Sequence, residues 1–568
     1  MSYILGISCG YHDSAACLIK DGNVLGACEE ERFTGIKHDN SFPIKSISYL
    51  YAKNGVQKDD IDAICFYENP NLKLERIKES TKRGPWWNYF TRRNIIKRNK
   101  KEYDKLHITL NSITGTKTKI IFTDHHSSHI NYSYLTSPFK EANILSVDGV
   151  GEWETTVLAK GSKNKIEKIQ SINFPHSLGM LYSSLTAFLG FKPNEGEYKV
   201  MGLAPYGDAS IYLSKFKKLY NTKPLGGFEI NMEYFTYDYS NKSMFTEKLG
   251  ELFGFTNRLP EEPIEQHHKD LAATLQVIYE FLFFKLLKNL HKLNPSDNIC
   301  LSGGCAYNGT ANGKILKRTP YKNIWIPPAP SDAGSAIGCA LEYYYNKNND
   351  ELRKINTSPY LGPSYNKNDI FSALEKYEDY IYYEPKLYEQ IINIVAEEIT
   401  QGGIIGWFQG RSEFGARALG NRSIFANPRD PQMKRRLNRV IKKREGFRPF
   451  APIVIEELST KFFEYNHTVP YMNQVVKVKK QYKNDLPAIT HVDGSARIQT
   501  LNKNQHKLVY DLLAKLHIIN EYPIVINTSF NLKDQTMVLT PEDAIKTFLN
   551  CEMDTLVLDK YIVKKKIL

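Results

Sequence analysis

No stretch of the 568 residues approaches the run of about eighteen apolar residues that crosses a bilayer, which excludes helical membrane-spanning classes. The eight cysteines (Cys9, Cys17, Cys28, Cys65, Cys300, Cys305, Cys339 and Cys551) contain no C-x-x-C pair. That argues against a structural zinc framework and for free thiols in a reducing cytoplasm. The N-terminus, "MSYILGISCGYHDS", has no basic segment ahead of its short apolar run, so no cleavable leader is expected. Low-complexity tracts are absent as well.

What is present is ordinary globular material: 42% hydrophobic and 24% charged residues, with length for about two to four domains. The formal charge of +13 points toward anionic partners, phosphates or nucleic acid. Part of it is local. "TKRGPWWNYFTRRNIIKRNKKEYDK", residues 81–105, interleaves Trp86, Trp87, Tyr89 and Phe90 with Lys and Arg. Such a segment suits an RNA or membrane surface, an insertion packed on its own domain, or a pocket for an anionic acceptor.

The first unit is a strand-turn-strand module. An apolar strand from Ile4 to Ser8 ends in a Gly-rich turn, and runs 14–19 and 24–28 flank "KDGN", a hairpin signal. The module recurs in "ANILSVDGVGEWETTVLAKGSKNKIEKI", residues 142–169, and a third strand-turn begins "NICLSGGCAYNG" at Asn298. Leu271, Leu275, Ile278, Leu282, Leu286 and Leu290 recur at three- and four-residue steps, predicting a long amphipathic helix. This order predicts an α/β fold of the actin/sugar-kinase/Hsp70 (ASKHA) type, a duplicated β-sheet domain over 1–357. Glycine turns let backbone N–H groups approach phosphate. A linker over 358–374, "SPYLGPSYNKND" and beyond, leads to a second α/β domain at 375–568.

In "TDHHSSHINYSYLTS", His125 and His129 sit one helical turn apart. Alone, the pair is weak evidence for metal ligands and reads as well as acid–base groups or polar residues on a wet helix. Asp148, in the turn "SVDGVGE", and Asp332, in "PSDAGSAIG", could complete a mixed N/O set suited to Fe, Mn or Zn; each could instead cap a turn or helix. His126 points to another face and reads as a surface or supporting residue. His12, on the first Gly turn, is matched in basicity to removing a hydroxyl proton, or is a turn histidine bonded to backbone. In the second domain Arg411, Arg417 and Arg422, then Lys442, Arg444 and Arg448, then Arg497, lie beside Gly, Pro and Phe rather than in helical charge runs. With the neutral donors Asn527, Thr528 and Ser529 they predict a pocket for polyphosphate or acyl phosphate, with RNA phosphates as the competing ligand.

The motifs "GISCGYHDSAACLI", "DHHSSHINYSY", "SVDGVGEWET", "GEYKVMGLAPYG", "LSGGCAYNG", "PSDAGSAIG", "GRSEFGARALGNRSI", "KKREGFRPFAP", "DGSARIQT" and "NTSFN" occur in this order along the chain. On them the sequence resembles the NodU/CmcH-type O-carbamoyltransferases over essentially its whole length. The resemblance implies an ASKHA metal-binding domain and a YrdC-like α/β domain. It implies that carbamoyl phosphate and ATP form carbamoyl adenylate in the second, and that the carbamoyl group passes to an acceptor hydroxyl in the first. His12 is then the base; His125, His129, Asp148 and Asp332 hold Fe(II) or another divalent metal. Gly151, Gly303, Gly304 and Asn308 contact nucleotide in the first domain. Lys442, Arg444, Arg497, Asn527 and Ser529, with Arg417 and Arg422 as neighbours, bind carbamoyl phosphate and Mg-ATP in the second. The expected partners are those substrates and a hydroxyl-bearing small molecule or glycan, with a homodimer as the candidate assembly and the cytoplasm as the compartment. Nucleic acid is not expected. Competing readings are a tRNA threonylcarbamoyl-modifying enzyme, an ASKHA sugar kinase, and a nucleotide-dependent binding module.

Overall fold

The computed structural model describes residues 2–84, 89–113, 115, 118–240, 242–348 and 351–566, side chains at 89–91 excepted. Two compact units divide the chain: residues 1–9, 15–25 and 50–357 form the first, and 10–14, 26–49 and 358–568 the second. The second unit therefore takes two pieces of the N-terminal region, where a single boundary near 358 was expected. Hydrogen bonds explain the difference. Ala27 N–H donates to Leu361 O at 3.1 Å, and Ser364 N–H donates to the Tyr49 hydroxyl at 3.2 Å.

The first unit contains two five-stranded sheets of one topology. In the first, the order is Asn23–Glu29, Ala15–Lys20, Tyr3–Ser8, Ile61–Phe66, Lys119–Phe122. In the second, it is Lys165–Asn173, Glu154–Ser162, Glu141–Val147, Asn298–Ser302, Asn323–Trp325. In both, the third strand in this order pairs antiparallel with the second and parallel with the fourth. This is the duplication that the repeated strand-turn modules predict. The predicted amphipathic helix spans Gln266–Leu293, and all six apolar positions of its stripe are buried.

Helix Asp332–Lys347 lies against helix His125–Leu135 and the first strand at unusually short range. A Cβ on Gly338 would stand 1.9 Å from Ser128 O, and one on Gly334 would stand 2.2 Å from the Tyr132 ring. A Cβ on Gly6 of the strand would stand 1.8 Å from Ala336 O. Only glycine lets these backbones approach so closely.

The second unit is built on one ten-stranded sheet. Its central strands are Ile405–Phe408, Arg422–Ala426, Ile524–Ser529, Ala451–Ile455 and Ser495–Leu501, hydrogen-bonded in that order. Residues 367–374, expected within a linker, begin helix Lys367–Glu375, which buries Ile370, Ala373 and Leu374 in the core of this unit. Polar residues at 366–369 looked like loop but form a capping box: Asn366 Oδ1 accepts from Asp369 N–H at 3.0 Å, and Asp369 Oδ2 accepts from Asn366 N–H at 2.8 Å. In the basic aromatic segment, Trp86 and Trp87 lie outside the described residues, as do the side chains of Tyr89 and Phe90. Arg83 fastens its start, donating to Asp238 Oδ1 at 2.6 Å and to Phe235 O at 2.8 Å. No helix among the described residues is long and apolar enough to cross a membrane.

The helix approach generates a prediction. Gly338→Ala should lower the unfolding free energy by about 2–3 kcal/mol, the upper range for overpacking. Gly202→Ala, in helix Glu197–Leu203 with nothing within 4 Å of the added methyl, should be neutral or stabilising. Denaturant unfolding of both variants checks the contrast; equal effects would contradict it.

Candidate metal centre and anion pocket

Helix His125–Leu135 carries both histidines on its first turns, and its N-terminus is held by a carboxylate 27 residues on. Glu152 accepts the His125 N–H at 3.0 Å and the Asn69 N–H at 2.6 Å, meeting donors that a helix start leaves unpaired. The imidazoles converge: His125 Nε2 and His129 Nε2 are 3.1 Å apart. Asp148 Oδ2 lies 3.0 Å from His125 Nε2 and 3.6 Å from His129 Nε2. Asp332 Oδ1 lies 3.7 Å and 3.4 Å from the same two atoms. One ligand atom from each of the four residues falls within 4.8 Å of every other.

The surroundings orient these groups. Ser335 Oγ sits 3.0 Å from His129 Nδ1, leaving Nε2 aimed inward. Gly304 N–H donates to Asp148 Oδ1 at 2.8 Å. His126 is fully buried behind the pair, with Nδ1 2.9 Å from Ser146 Oγ, so it is a supporting rather than a surface residue. Asp332 Oδ1 is buried with no hydrogen-bond partner, the kind of orphaned acceptor a cation satisfies. Two imidazoles and two carboxylates fit a divalent borderline metal. Without one, burial works against a charged His125, yet Asp332 and Asp148 outweigh it and push the imidazole up to about 9. Burial likewise opposes the charge on Asp148, but the two histidines hold its carboxyl well below the usual range.

The glycines expected to contact nucleotide lie beside this centre. A Cβ on Gly151 would stand 3.0 Å from His125 Cβ, and its N–H is taken by Glu154 O at 2.9 Å. Gly303 N–H donates to Pro330 O at 2.8 Å, and a Cβ there would meet Val147 O at 2.2 Å. Asn308 Oδ1 accepts from Ala311 N–H at 3.0 Å and from Gln276 at 3.1 Å. The N–H groups of Gly151, Gly303 and Gly304 are thus committed within the protein.

In the second unit, Lys442 follows a π-helical turn over Leu437–Ile441. Its buried ammonium donates to Ser529 O at 2.6 Å and to Asn531 Oδ1 at 2.7 Å, and lies 3.3 Å from Ser529 Oγ. These partners, with Asn531 O at 3.0 Å, are uncharged, so burial, then Arg444 and Arg448, depress its pKa well below the ordinary value. Burial also lowers Arg497, joined by Arg417, Arg444 and Arg448. No carboxylate pairs with Arg497 among the described residues. Cations that disfavour one another's charge in this way suit an anion. Arg444 also lines a cavity of about 610 Å³ with Lys434, Arg435, Asn438, Arg439 and Lys443. Sequence reading passed over these cations because "MKRRLNRV" looks like a solvated helical charge run.

Arg422 does not belong to this cluster. It is fully buried on its strand, its guanidinium 3.6 Å from the Phe408 ring centre, donating to the carbonyls of Gln409 at 2.5 Å and Asn421 at 3.0 Å. It braces the loop 409–421 that carries Arg417. Asn527 does the same: its amide donates to Ala418 O at 2.8 Å and to Gln499 at 3.1 Å. Glu413, missed in the sequence, accepts the N–H groups of Leu419, Asn421 and Arg422 at 2.8–3.2 Å. His12, in the second unit, lies 3.0 Å from Asp13 through Nδ1.

Metal uptake should release protons at neutral pH, because His125 carries one that a cation must displace; affinity should rise from pH 6 toward about 9. Calorimetry with Zn²⁺ in buffers of different ionisation enthalpy checks this. Ser335→Ala, which removes only the hydroxyl on His129, should weaken binding roughly 10–100-fold. Binding without proton release would contradict the geometry.

Residues 3–341 match the Carbamoyltransferase N-terminus family and residues 396–565 the Carbamoyltransferase C-terminus family. The chain is 40% identical to the uncharacterized protein sll1178 of Synechocystis, over all of this chain and 97% of that one. It is 36% identical to nodulation protein NolNO of Sinorhizobium fredii, over 98% of this chain and 79% of that one. Among solved structures, component A of the Acidaminococcus fermentans (R)-2-hydroxyglutaryl-CoA dehydratase aligns over 62% of this chain and 100% of that one, at 13% identity and TM-score 0.32.

Proposed function

The chain belongs to the carbamoyltransferase family, and from that premise we propose that it is an ATP-dependent O-carbamoyltransferase acting through carbamoyl adenylate. The observation that carries this reading is the convergence of Arg417, Arg444 and Arg448 on Lys442 and Arg497, whose charged forms burial and these neighbours disfavour. Carbamoyl phosphate and ATP are the polyanions this cluster would neutralise. Carbamoyl phosphate gives up its phosphate to water, leaving carbamate. A carbamate oxygen then attacks the α-phosphorus of ATP, and pyrophosphate leaves with the electron pair of the broken P–O bond. Arginine forks stabilise the charge that gathers on these oxygens. The cavity walled by Arg435, Arg439, Lys443 and Arg444 has room and charge for a nucleotide's phosphates. Mg²⁺ accompanies ATP as its ordinary counter-ion.

In the transfer half-reaction the carbamoyl carbon passes to a hydroxyl, and His12 takes that hydroxyl's proton. His125, His129, Asp148 and Asp332 would hold a divalent metal, iron first among the candidates. When bound, it supplies Lewis-acid stabilisation of developing negative charge. The resemblance to a nodulation protein favours a hydroxyl-bearing small molecule or glycan as acceptor, and both other substrates are supplied in the cytoplasm.

The first half-reaction is testable without the acceptor. Protein incubated with ATP, Mg²⁺ and carbamoyl phosphate should form carbamoyl adenylate, detected by mass spectrometry, together with pyrophosphate. Arg497→Ala should reduce pyrophosphate release by at least about 100-fold, as for loss of a donor that stabilises the transition state. Folded, metal-loaded protein that forms neither product would overturn the reading. Products formed only from threonine and bicarbonate would replace it with threonylcarbamoyl chemistry.

A further inference from the structure

The turn Gly10–Ser14 is fastened to the loop that follows the first short helix, Glu30–Thr34. Gly10 N–H donates to Asn40 O at 3.0 Å, and Ser14 N–H donates to Asp39 O at 2.9 Å. Asp13 has φ +51° and His38, facing it, has φ +53°. Two non-glycine residues in the left-handed region at one contact mark a geometry imposed by its surroundings. Between them, Asp13 holds two imidazoles on one carboxylate. Its Oδ2 lies 3.0 Å from His12 Nδ1 and its Oδ1 lies 2.6 Å from His38 Nδ1.

The other charged groups nearby are occupied. Glu29 pairs with Arg32 at 2.9 Å, and Glu31 pairs with the same Arg32 at 3.1 Å while accepting the His38 N–H at 2.9 Å. Asp39 is engaged by the Thr34 hydroxyl at 2.7 Å and by Ser41 N–H at 2.8 Å. Asp13 is the carboxylate that meets both rings, with a Glu31 carboxylate oxygen within 4.8 Å of it and of the His38 ring. Burial opposes its charge, but the two histidines outweigh that and hold its carboxyl well below the usual range, so it stays ionised across neutral pH.

We propose that Asp13 is a positioning residue shared between two histidines: it fixes His12 with Nδ1 as hydrogen-bond donor and Nε2 as proton acceptor, while His38, competing for the same carboxylate, sets how basic His12 is. The inference rests on the role of His12 as the base of the transfer step. There the acceptor's O–H bond breaks and its proton moves to His12 Nε2. The oxygen keeps that electron pair and bonds the carbamoyl carbon, and the carbon's bond to the adenylate oxygen breaks, releasing AMP. A base of this kind needs one fixed tautomer, and an ionised carboxylate on Nδ1 provides it. A second imidazole on that carboxylate draws away part of its negative charge.

The two partners should act in opposite directions. In Asp13→Asn the carboxylate that favours the imidazolium is gone, so the His12 titration midpoint should fall, by roughly half to one pH unit. In His38→Asn, a residue that tolerates the left-handed backbone, Asp13 is released to His12 and the midpoint should rise by a similar amount. NMR of the full chain carrying ¹³Cε1,¹⁵N-labelled histidine reads both shifts, with His12→Ala identifying the resonance. Nitrogen shifts should report the Nδ1–H tautomer in the wild type and its loss in Asp13→Asn. Midpoints that stay fixed, or that move the same way in both folded variants, overturn the proposal. Pyrophosphate formation by the wild type tests the carbamoyl reading separately. Opposite shifts in a protein that makes no adenylate would uphold the coupling and remove only its assigned use.

Discussion

The close approach of helix Asp332–Lys347 to helix His125–Leu135 is the constraint on which the first unit's chemistry depends. Asp332 is the first residue of its helix, and His125 the first of the other. Side chains at Gly334 and Gly338 would force the helices apart, because the added atoms would meet Tyr132 and Ser128 at about 2 Å. Asp332 Oδ1 would then leave the 3.4–3.7 Å range in which it faces both imidazoles. A third element obeys the same rule, since Gly6 admits Ala336 O from the other side of the helix. The convergence of the four candidate ligands is thus a consequence of backbone packing before it is one of residue choice.

The two units hold opposite unfinished charge. In the first, two buried imidazoles, the buried Asp332 and the half-buried Asp148 gather around a point that could hold a divalent ion, and the carboxylates favour the charged form of His125. In the second, the buried Lys442 and the half-buried Arg497 sit among further cations and their charged forms are disfavoured. A polyanion relieves that repulsion, so binding energy there comes from removing a strain already built into the fold. Supporting residues keep both sites from collapsing. Glu152 and Ser335 orient the histidine helix, while Glu413, Arg422 and Asn527 hold the loop that presents Arg417. These residues carry polar groups that look functional in sequence but are satisfied within the protein.

Periodic and local features were legible in the sequence. The duplicated sheets follow from repeated strand-turn modules, and the four candidate metal ligands from an i, i+4 histidine pair plus two acids at turns after strands. The arginine cluster was legible because its members sit beside Gly, Pro and Phe. Long-range pairings were not. Glu152 reaches His125 across 27 residues, and Asp13 reaches His38 across 25. Arg417 and Arg422 look alike in "GARALGNRS", yet Arg422 is on a strand whose register turns it into the core while Arg417 is on a loop. Gly151, Gly303 and Gly304 signalled close approach in the sequence without saying to which protein groups. Here the close neighbours are His125, Val147 and Asp148.

The most direct test of this account is anomalous diffraction at the iron edge from crystals of the chain loaded with ferrous iron under anaerobic, reducing conditions. The account predicts one dominant peak at bonding distance, about 2.0–2.2 Å, from His125 Nε2, His129 Nε2 and oxygens of Asp148 and Asp332. Ordered side chains around a point without density, with the crystal's iron bound elsewhere, would contradict it.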